Sequence, residues 1–145
     1  MKSIGIDIGS TATKVAVVED DQVVDTLFMP TGFSSVDAAE RVASALAERS
    51  FDLEAVPVVA TGYGRIAVPY ATKTVTEITC HGRGAQYLFG AEGTVIDVGG
   101  QDTKIIQLSG GKVKKFVMND KCSAGTGKFL EVMADRMGEI GRAHV

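Results

Sequence analysis

The feature that most constrains this chain is a short segment that occurs twice. Residues 7–14 return ninety positions later as residues 97–104. Four matched positions are identical: Asp7/Asp97, Gly9/Gly99, Thr13/Thr103 and Lys14/Lys104. Apolar residues flank both copies, so each copy predicts a β-hairpin whose small, polar turn has a carboxylate at its entrance.

Each predicted turn has the properties of a phosphate site. Gly9–Thr11 and Gly99–Gly100 leave little side chain between the backbone amides and a ligand, and amides that converge in a turn bind anions. Asp7 and Asp97 are placed to hold Mg²⁺ through water molecules, which that ion retains readily. Lys14 adds a point charge suited to phosphate oxygens. The pair of hairpins therefore predicts a site for a Mg²⁺-polyphosphate, with two ordinary hairpins as the alternative explanation.

Composition excludes several classes of function. The 145 residues are 45% hydrophobic and carry a net charge of −3, so the chain can form a globular core and has no basic surplus for nucleic acid. No apolar run approaches the ~20 residues of a membrane span, and no signal peptide precedes the first predicted strand. Two cysteines argue against a disulfide framework. We expect a cytoplasmic protein that binds neither nucleic acid nor membrane.

The periodicity of apolar residues predicts an α/β protein. Strands are predicted at 3–8, 13–18, 23–29, 56–60, 93–98, 102–108 and 112–118, and helices at 36–49, 76–89 and 124–137. Residues 66–75 are poorly patterned. The glycine-rich loop 61–65 follows a buried strand, at the end where α/β proteins bind ligands. Arg65 in this loop is either a ligand contact or an exposed, solvated side chain.

The repeat also predicts the domain organisation. The first copy belongs to a domain at 1–91, and the second opens a domain at 92–145. The second domain has no counterpart of the 56–60 strand or of the second helix, so we expect the chain to be part of a longer protein. The final residues, 141–145, match nothing expected after the third helix and are predicted to be foreign sequence.

These motifs carry a family resemblance. Asp7-x-Gly9-Ser10-Thr11 with Lys14, and later Asp97-x-Gly99-Gly100, resemble the two phosphate motifs of the acetate-kinase, sugar-kinase, heat-shock-ATPase and actin superfamily. Three further segments resemble the ATP-dependent activators of 2-hydroxyacyl-CoA dehydratases and the ATPase subunits of benzoyl-CoA reductase: 60–65, 99–102 and 118–127. The resemblance implies a ribonuclease H-like, actin/heat-shock-ATPase-type fold, with one complete N-terminal domain and the first part of its repeat.

Cys122 is the most specific residue of that resemblance. The segment 121–129 fails the P-loop pattern, because Cys122 stands where its first glycine is needed and Phe129 follows the lysine. A cysteine beside Lys121 and before a helix has the surroundings that favour a thiolate. The resemblance implies a [4Fe–4S] cluster shared by two subunits, with two cysteines from each, Cys122 being the first and the second lying beyond this chain. Cys80 is predicted to be a buried core residue, and His81 and His144 make no metal pair.

The resemblance implies an ATPase that drives electron transfer. ATP and Mg²⁺ would bind in each subunit of a homodimer, which would receive an electron from a ferredoxin or flavodoxin and pass it to an iron–sulfur acyl-CoA dehydratase or reductase. Asp7 and Asp97 would organise Mg²⁺. Gln101 would orient the attacking water, with Asp102 as the rival base, and Lys104 would repeat the role of Lys14 or simply end a strand. A small-molecule kinase and a non-enzymatic actin-like nucleotide-binding module are the alternatives.

Overall fold

The computed structural model describes residues 1–138 and contains eight strands and three helices within them. They are β1 Lys2–Ile8, β2 Ala12–Glu19, β3 Gln22–Pro30, α1 Ser35–Glu48, β4 Val58–Thr61, β5 Lys73–Thr74, α2 Glu77–Phe89, β6 Gly93–Val98, β7 Thr103–Ser109, β8 Lys112–Asn119 and α3 Gly127–Met137. The chain divides into two compact units between Glu77 and Ile78. This division groups α2 with the second unit, whereas the boundary predicted from the repeat lies after residue 91 and stays a prediction.

The first unit is a five-stranded sheet covered on one face by α1. The strand order is β3-β2-β1-β4-β5, with β1, β2 and β3 antiparallel and β4 and β5 added in parallel beyond β1. Alternate residues of β1, β2 and β4 point to α1 and form the core with its apolar face. The buried members of this core are Ile4, Ile6, Ile8, Val15, Val17, Ala38, Ala39, Val42, Leu46, Val58, Ala60 and Val68.

The second unit is a three-stranded antiparallel sheet, β6-β7-β8. Its core is small, since only Ala85, Ile106 and Leu108 are buried apolar residues there within the described chain. Helix α2 packs closely at Gly82, where an added Cβ would lie 2.5 Å from Val113 Cγ2. That close approach explains why glycine occupies position 82, although glycine has a low helix propensity.

The backbone repeats along with the sequence. A β-bulge interrupts the pairing of β2 with β3, where Val24 of β3 has no register partner, and another interrupts the pairing of β7 with β8 at Lys114, ninety residues later. The turns that follow also match, because Asp20–Asp21 and Gly110–Gly111 all have positive φ, as a tight two-residue hairpin turn requires. The predicted hairpins are β1–β2 and β6–β7, and both are antiparallel pairs in the same register, with Asp7 opposite Lys14 and Asp97 opposite Lys104, so this prediction is confirmed.

Two sequence-based boundaries were wrong. Helix α3 begins at Gly127 and not at 124, because Gly125 has φ +81°, a left-handed conformation that a helix excludes. Strand β4 begins at Val58, two residues later than predicted. The poorly patterned segment 66–75 contains a 3₁₀ turn at Arg65–Ala67 and the two-residue strand β5, both too short to produce a period.

The start of helix α1 follows a recognisable capping signal. Ser34 caps α1 by accepting a hydrogen bond from the Asp37 amide at 3.2 Å.

Across residues 1–138, none of the helices combines the length and the apolar character needed to span a membrane. The foreign segment predicted at 141–145, and His144 within it, lie outside the described residues.

Candidate functional site

The first turn joins β1 to β2 and brings Asp7 and Lys14 together. These residues are register partners, and Lys14 Nζ donates to Asp7 Oδ2 at 3.0 Å. The Gly9 amide closes the turn on the Ala12 carbonyl at 3.1 Å. Within the described chain, no backbone hydrogen bond uses the amides of Ser10 and Thr11. The turn therefore presents a carboxylate, an ammonium group and two available amides at one strand end.

The buried hydroxyl groups of two threonines stabilise this turn through hydrogen bonds. Thr13 and Thr31 lie 2.9 Å apart at their Oγ1 atoms, and Thr31 Oγ1 donates to the Gly9 carbonyl at 2.7 Å. A Cβ at Gly9 would lie 2.8 Å from the Ala12 carbonyl oxygen. Glycine is thus required at position 9 because the chain folds back on itself there, and the threonine pair fixes its orientation.

The second turn has the same backbone closure but different charges around it. The Gly99 amide donates to the Asp102 carbonyl at 2.8 Å. Lys104 Nζ donates to both carboxylate oxygens of Asp102 at 2.7 Å and lies 3.9 Å from Asp97 Oδ2. The Lys104 side chain is only 4% exposed. This lysine is therefore committed to carboxylates, whereas Gln101 is exposed at the tip of the turn.

His81 is a neighbour of Asp97 that the sequence analysis missed. Its Nδ1 lies 2.8 Å from Asp97 Oδ2, without meeting hydrogen-bond geometry. The contact arises because α2 packs on the sheet through Gly82, which brings the preceding residue to the end of β6. The sequence holds no signal for this contact, since His81 and Asp97 belong to elements with no shared motif.

A glycine loop packs against the Asp7 carboxylate. Thr61 is the register partner of Asp7 in the neighbouring parallel strand, and Gly62 follows it with φ +87°. A Cβ at Gly62 would collide with Asp7 Oδ1 and with the carbonyl oxygen of Ile8. Arg65 Nη1 donates to the Gly62 carbonyl at 3.1 Å and so braces the loop itself.

Cys122 is exposed in the loop between β8 and α3. The Asn119 side chain donates to the carbonyl of Cys122 at 3.0 Å, and Thr126 Oγ1 donates to the Ser123 carbonyl at 2.6 Å. Thr103, the repeat partner of Thr13, donates to the Gly125 carbonyl at 2.6 Å. Several side chains therefore shape a loop that presents one thiol. Cys80 has intermediate exposure, so the predicted burial of this residue in the core was overstated.

The Cys122 loop is joined to the second phosphate turn. The amides of Gly127 and Lys128, at the start of α3, donate to the carbonyls of Gly99 and Gly100 at 2.8 and 3.1 Å. These hydrogen bonds therefore connect the Gly99–Gly100 turn directly to the start of α3, the helix that follows Cys122. This connection was not predicted, because each hydrogen bond joins backbone groups of residues 28 positions apart.

The donor groups fit some of the expected cofactors better than others. No cluster of three or more acidic, histidine or cysteine side chains able to hold a metal occurs in residues 1–138. Mg²⁺ is usually held by one or two carboxylates together with water and nucleotide phosphates, so the carboxylates of Asp7 and Asp97 are chemically suited to it. A [4Fe–4S] cluster takes four thiolates, and Cys122 can supply only one of them, so the described chain does not hold such a cluster alone.

Comparisons with known proteins agree with this geometry. The model of the BadF/BadG/BcrA/BcrD ATPase family matches residues 4–144. An activator of lactoyl-CoA dehydratase from Anaerotignum propionicum is 41% identical, and the match covers 97% of this chain and 58% of that protein. This chain spans about half the length of the curated relatives that it matches.

Solved structures show the same similarity. Component A of the (R)-2-hydroxyglutaryl-CoA dehydratase from Acidaminococcus fermentans superposes with a TM-score of 0.87 at 37% identity, covering 97% of this chain and 55% of that one. The activator of the 2-hydroxyisocaproyl-CoA dehydratase from Clostridium difficile, with bound ADPNP, gives 0.84 at 36% identity, covering 97% and 53%. The predicted fold class and family resemblance are both confirmed. The chain belongs to the BadF/BadG/BcrA/BcrD ATPase family and has the actin-like ATPase fold.

Proposed function

We propose that this chain is the nucleotide-binding part of an ATP-hydrolysing activator that delivers a low-potential electron to an acyl-CoA dehydratase or reductase. The observation that carries the proposal is the Asp7–Lys14 pair at the mouth of the Gly9 turn, 3.0 Å apart, in a chain that belongs to an ATPase family. A carboxylate for Mg²⁺, a cation for phosphate and two available amides lie at one strand end, as phosphoryl chemistry requires.

The side chains of the first turn take complementary roles in this proposal. The Asp7 carboxylate orients Mg²⁺ and its water, and the amides of Ser10 and Thr11 contact phosphate oxygens. Lys14 exchanges its contact with Asp7 for the β- and γ-phosphate oxygens. This exchange costs little, because the Lys14 side chain is 53% exposed and already well solvated.

The second turn contributes differently. Asp97 is a second carboxylate for Mg²⁺ or its water, and the amides of Gly99 and Gly100 contact phosphate. Gln101 is exposed and orients the attacking water. Asp102 is the weaker candidate for a base, since both of its oxygens already accept from Lys104. We assign Lys104 to that ion pair and not to phosphate.

The cluster and the partners follow from the position of Cys122. We propose that Cys122 supplies one thiolate to a [4Fe–4S] cluster shared in a homodimer, with further ligands from outside the described residues. When bound, the cluster would supply the one-electron chemistry. The hydrogen bonds from Gly127 and Lys128 to Gly99 and Gly100 would carry a nucleotide-dependent change to this loop. Ferredoxin or flavodoxin would reduce the protein in the cytoplasm.

The alternatives are less well supported. A small-molecule kinase and a non-enzymatic actin-like module share the fold, but membership of this ATPase family and similarity to named dehydratase activators favour the activator. Phosphorylation of a sugar or acid would support the first alternative. Nucleotide-dependent polymerisation without iron would support the second.

Binding of Mg²⁺-ATP tests the core of the proposal. Calorimetric titration of the 145-residue protein should detect Mg²⁺-dependent nucleotide binding, and Asp7→Asn should remove most of the Mg²⁺ dependence. Asp25→Asn is the matched control, because Asp25 pairs with Arg49 through hydrogen bonds of 2.7 Å and has no role in the proposed site. Equal nucleotide affinity with and without Mg²⁺ in the wild-type protein would contradict the assignment.

Iron content tests the proposed role of Cys122. After anaerobic reconstitution of the intact, longer protein with iron and sulfide, Cys122→Ser should lose the bound iron, while nucleotide binding survives. Cys80→Ser is the control and should keep the wild-type iron content. If Cys122→Ser retains all of its iron, the electron-transfer function is wrong.

A further inference from the structure

The hydroxyl of Thr61 is buried but makes no hydrogen bond with the described residues. The residue is 8% exposed, and its Oγ1 has no hydrogen-bond partner among residues 1–138. The other buried threonines of the described chain are all satisfied: Thr13 with Thr31, Thr31 with Gly9, and Thr126 with Ser123. A buried, unsatisfied polar group destabilises a fold, so Thr61 is the exception that needs an explanation.

The position of Thr61 supplies that explanation. It is the register partner of Asp7 at the carboxyl end of the adjacent parallel strand, so both side chains lie on the same face of the sheet. That face is opposite to the one covered by α1, because Ile6 and Ile8 point into the α1 core and Asp7 alternates with them.

The backbone beyond Thr61 is fitted to the Asp7 carboxylate. The Gly64 amide donates to the Ile8 carbonyl at 2.8 Å and holds the loop against the end of β1. Gly62 leaves no room for a Cβ beside Asp7 Oδ1. Lys14 occupies the other oxygen, Oδ2. The Asp7 carboxylate is therefore enclosed between Lys14 on one side and the Thr61–Gly62 backbone on the other.

We propose that Thr61 is a positioning residue for Asp7, and that its hydroxyl acquires a hydrogen-bond partner when Asp7 holds hydrated Mg²⁺ with nucleotide. The hydroxyl then donates to the carboxylate or accepts from a metal-bound water, while Lys14 turns to phosphate. In the ligand-free protein the same hydroxyl costs stability. This inference rests on the proposed function, because it presumes that Asp7 binds Mg²⁺-nucleotide.

The opposed effects on stability and binding make the inference testable. Thr61→Val keeps the shape of the side chain and removes the unsatisfied hydroxyl. The melting temperature without ligand should therefore rise by about 2–4 °C. In calorimetric titration the affinity for Mg²⁺-ADPNP should fall about three- to ten-fold, the effect of one lost hydrogen bond. The affinity for ADPNP with EDTA in place of Mg²⁺ should change less than about two-fold.

Two further variants separate positioning from a structural role. Thr61→Ser restores a hydroxyl and should recover Mg²⁺-ADPNP affinity to within about two-fold of wild type. Thr13→Val is the control for the sign of the stability effect. It breaks the satisfied Thr13–Thr31 hydrogen bond, so it should lower the melting temperature where Thr61→Val raises it.

The outcomes distinguish this inference from the proposed function. If wild-type protein shows no Mg²⁺-dependent binding, the proposed function fails and the inference fails with it. If wild type binds and Thr61→Val binds equally well, the inference alone is overturned. An equal loss of affinity with and without Mg²⁺ would also overturn it, because the hydroxyl would then support the loop and not the Asp7–metal contact.

Discussion

The two hairpins of this protein share a sequence pattern, a turn closure and a bulge position, yet they treat their matched lysines in opposite ways. Lys14 has a side chain that is 53% exposed and makes one contact with Asp7, whereas the Lys104 side chain is 4% exposed and binds both oxygens of Asp102. Asp102 stands where the first hairpin has Ala12. A single added carboxylate thus distinguishes an available cation from a buried ion pair.

The two sheets also differ in how far the matched apolar side chains on one face are buried. In the first unit, Ile6, Val15 and Leu27 form a row across three strands and pack in the α1 core. Their counterparts in the second unit are in the same register but are 69%, 44% and 58% exposed: Ile96, Ile105 and Val117. The similar sequences of the two hairpins therefore give their sheets the same register, whereas the burial of the side chains depends on the elements that pack on each sheet.

The largest test of this comparison is the matched pair Ile6→Ala and Ile96→Ala. Ile6 is 1% exposed, so its truncation should lower the free energy of unfolding by about 2–5 kcal/mol. Ile96 is 69% exposed, and the same truncation should change it by less than about 0.5 kcal/mol. Urea unfolding followed by far-UV circular dichroism measures both.

An equal cost at the two positions would break the comparison. It would mean that the row formed by Ile96, Ile105 and Val117 is covered in solution, by a second copy or by further polypeptide. Sedimentation of the wild type and Ile96→Ala would then separate these cases, since only self-association depends on protein concentration.

The matched lysines provide the second test. Lys104→Met should lower the free energy of unfolding by about 1–3 kcal/mol, because it removes the charged partner of Asp102. Lys14→Met should cost less than about 1 kcal/mol, since the Asp7–Lys14 pair is solvated. Urea unfolding with methionine at each position compares the two at constant side-chain length. Similar losses would show that Lys14 is as deeply committed as Lys104, and would weaken its assignment to phosphate.

Much of this organisation could be predicted from the sequence because the signals were local. The alternation of apolar residues gave the strands of both hairpins, and the ninety-residue offset identified the turns and their carboxylates. The predicted start of the first helix at residue 36 lies within one residue of the observed start of α1 at Ser35. The similarity of the motifs to a known family supplied the fold class.

What could not be predicted depends on distances between elements. The contact of His81 with Asp97 requires α2 to approach through Gly82. The unsatisfied hydroxyl of Thr61 is visible only when every possible partner has a position. Sequence patterns report periodicity along the chain, and these features arise from packing across it.

The smallest expected effect is a difference in acid sensitivity between the units. In the first unit Arg49, after α1, bonds both oxygens of Asp25 at 2.7 Å, and this hydrogen bonding lowers the pKa of Asp25. The second unit has Lys115 at the position of Asp25, so it lacks this pair. Asp25→Asn should therefore flatten part of the acid limb of the stability profile of the protein.

The sign follows from the direction of the pKa shift. A carboxyl with a depressed folded-state pKa stabilises the fold fully above its unfolded pKa, about 3.9, and loses that contribution as the pH falls through the lower folded value. Urea midpoints measured from pH 6 down to pH 2.5 should converge for wild type and Asp25→Asn at the acid end. Arg49→Met should give the same profile, and the double variant should add nothing further. Because both side chains are partly exposed, 0.5 M salt should reduce the difference in stability between wild type and Asp25→Asn. If the difference is unchanged in salt, the Asp25–Arg49 pair is shielded from solvent and the exposure of its side chains is contradicted.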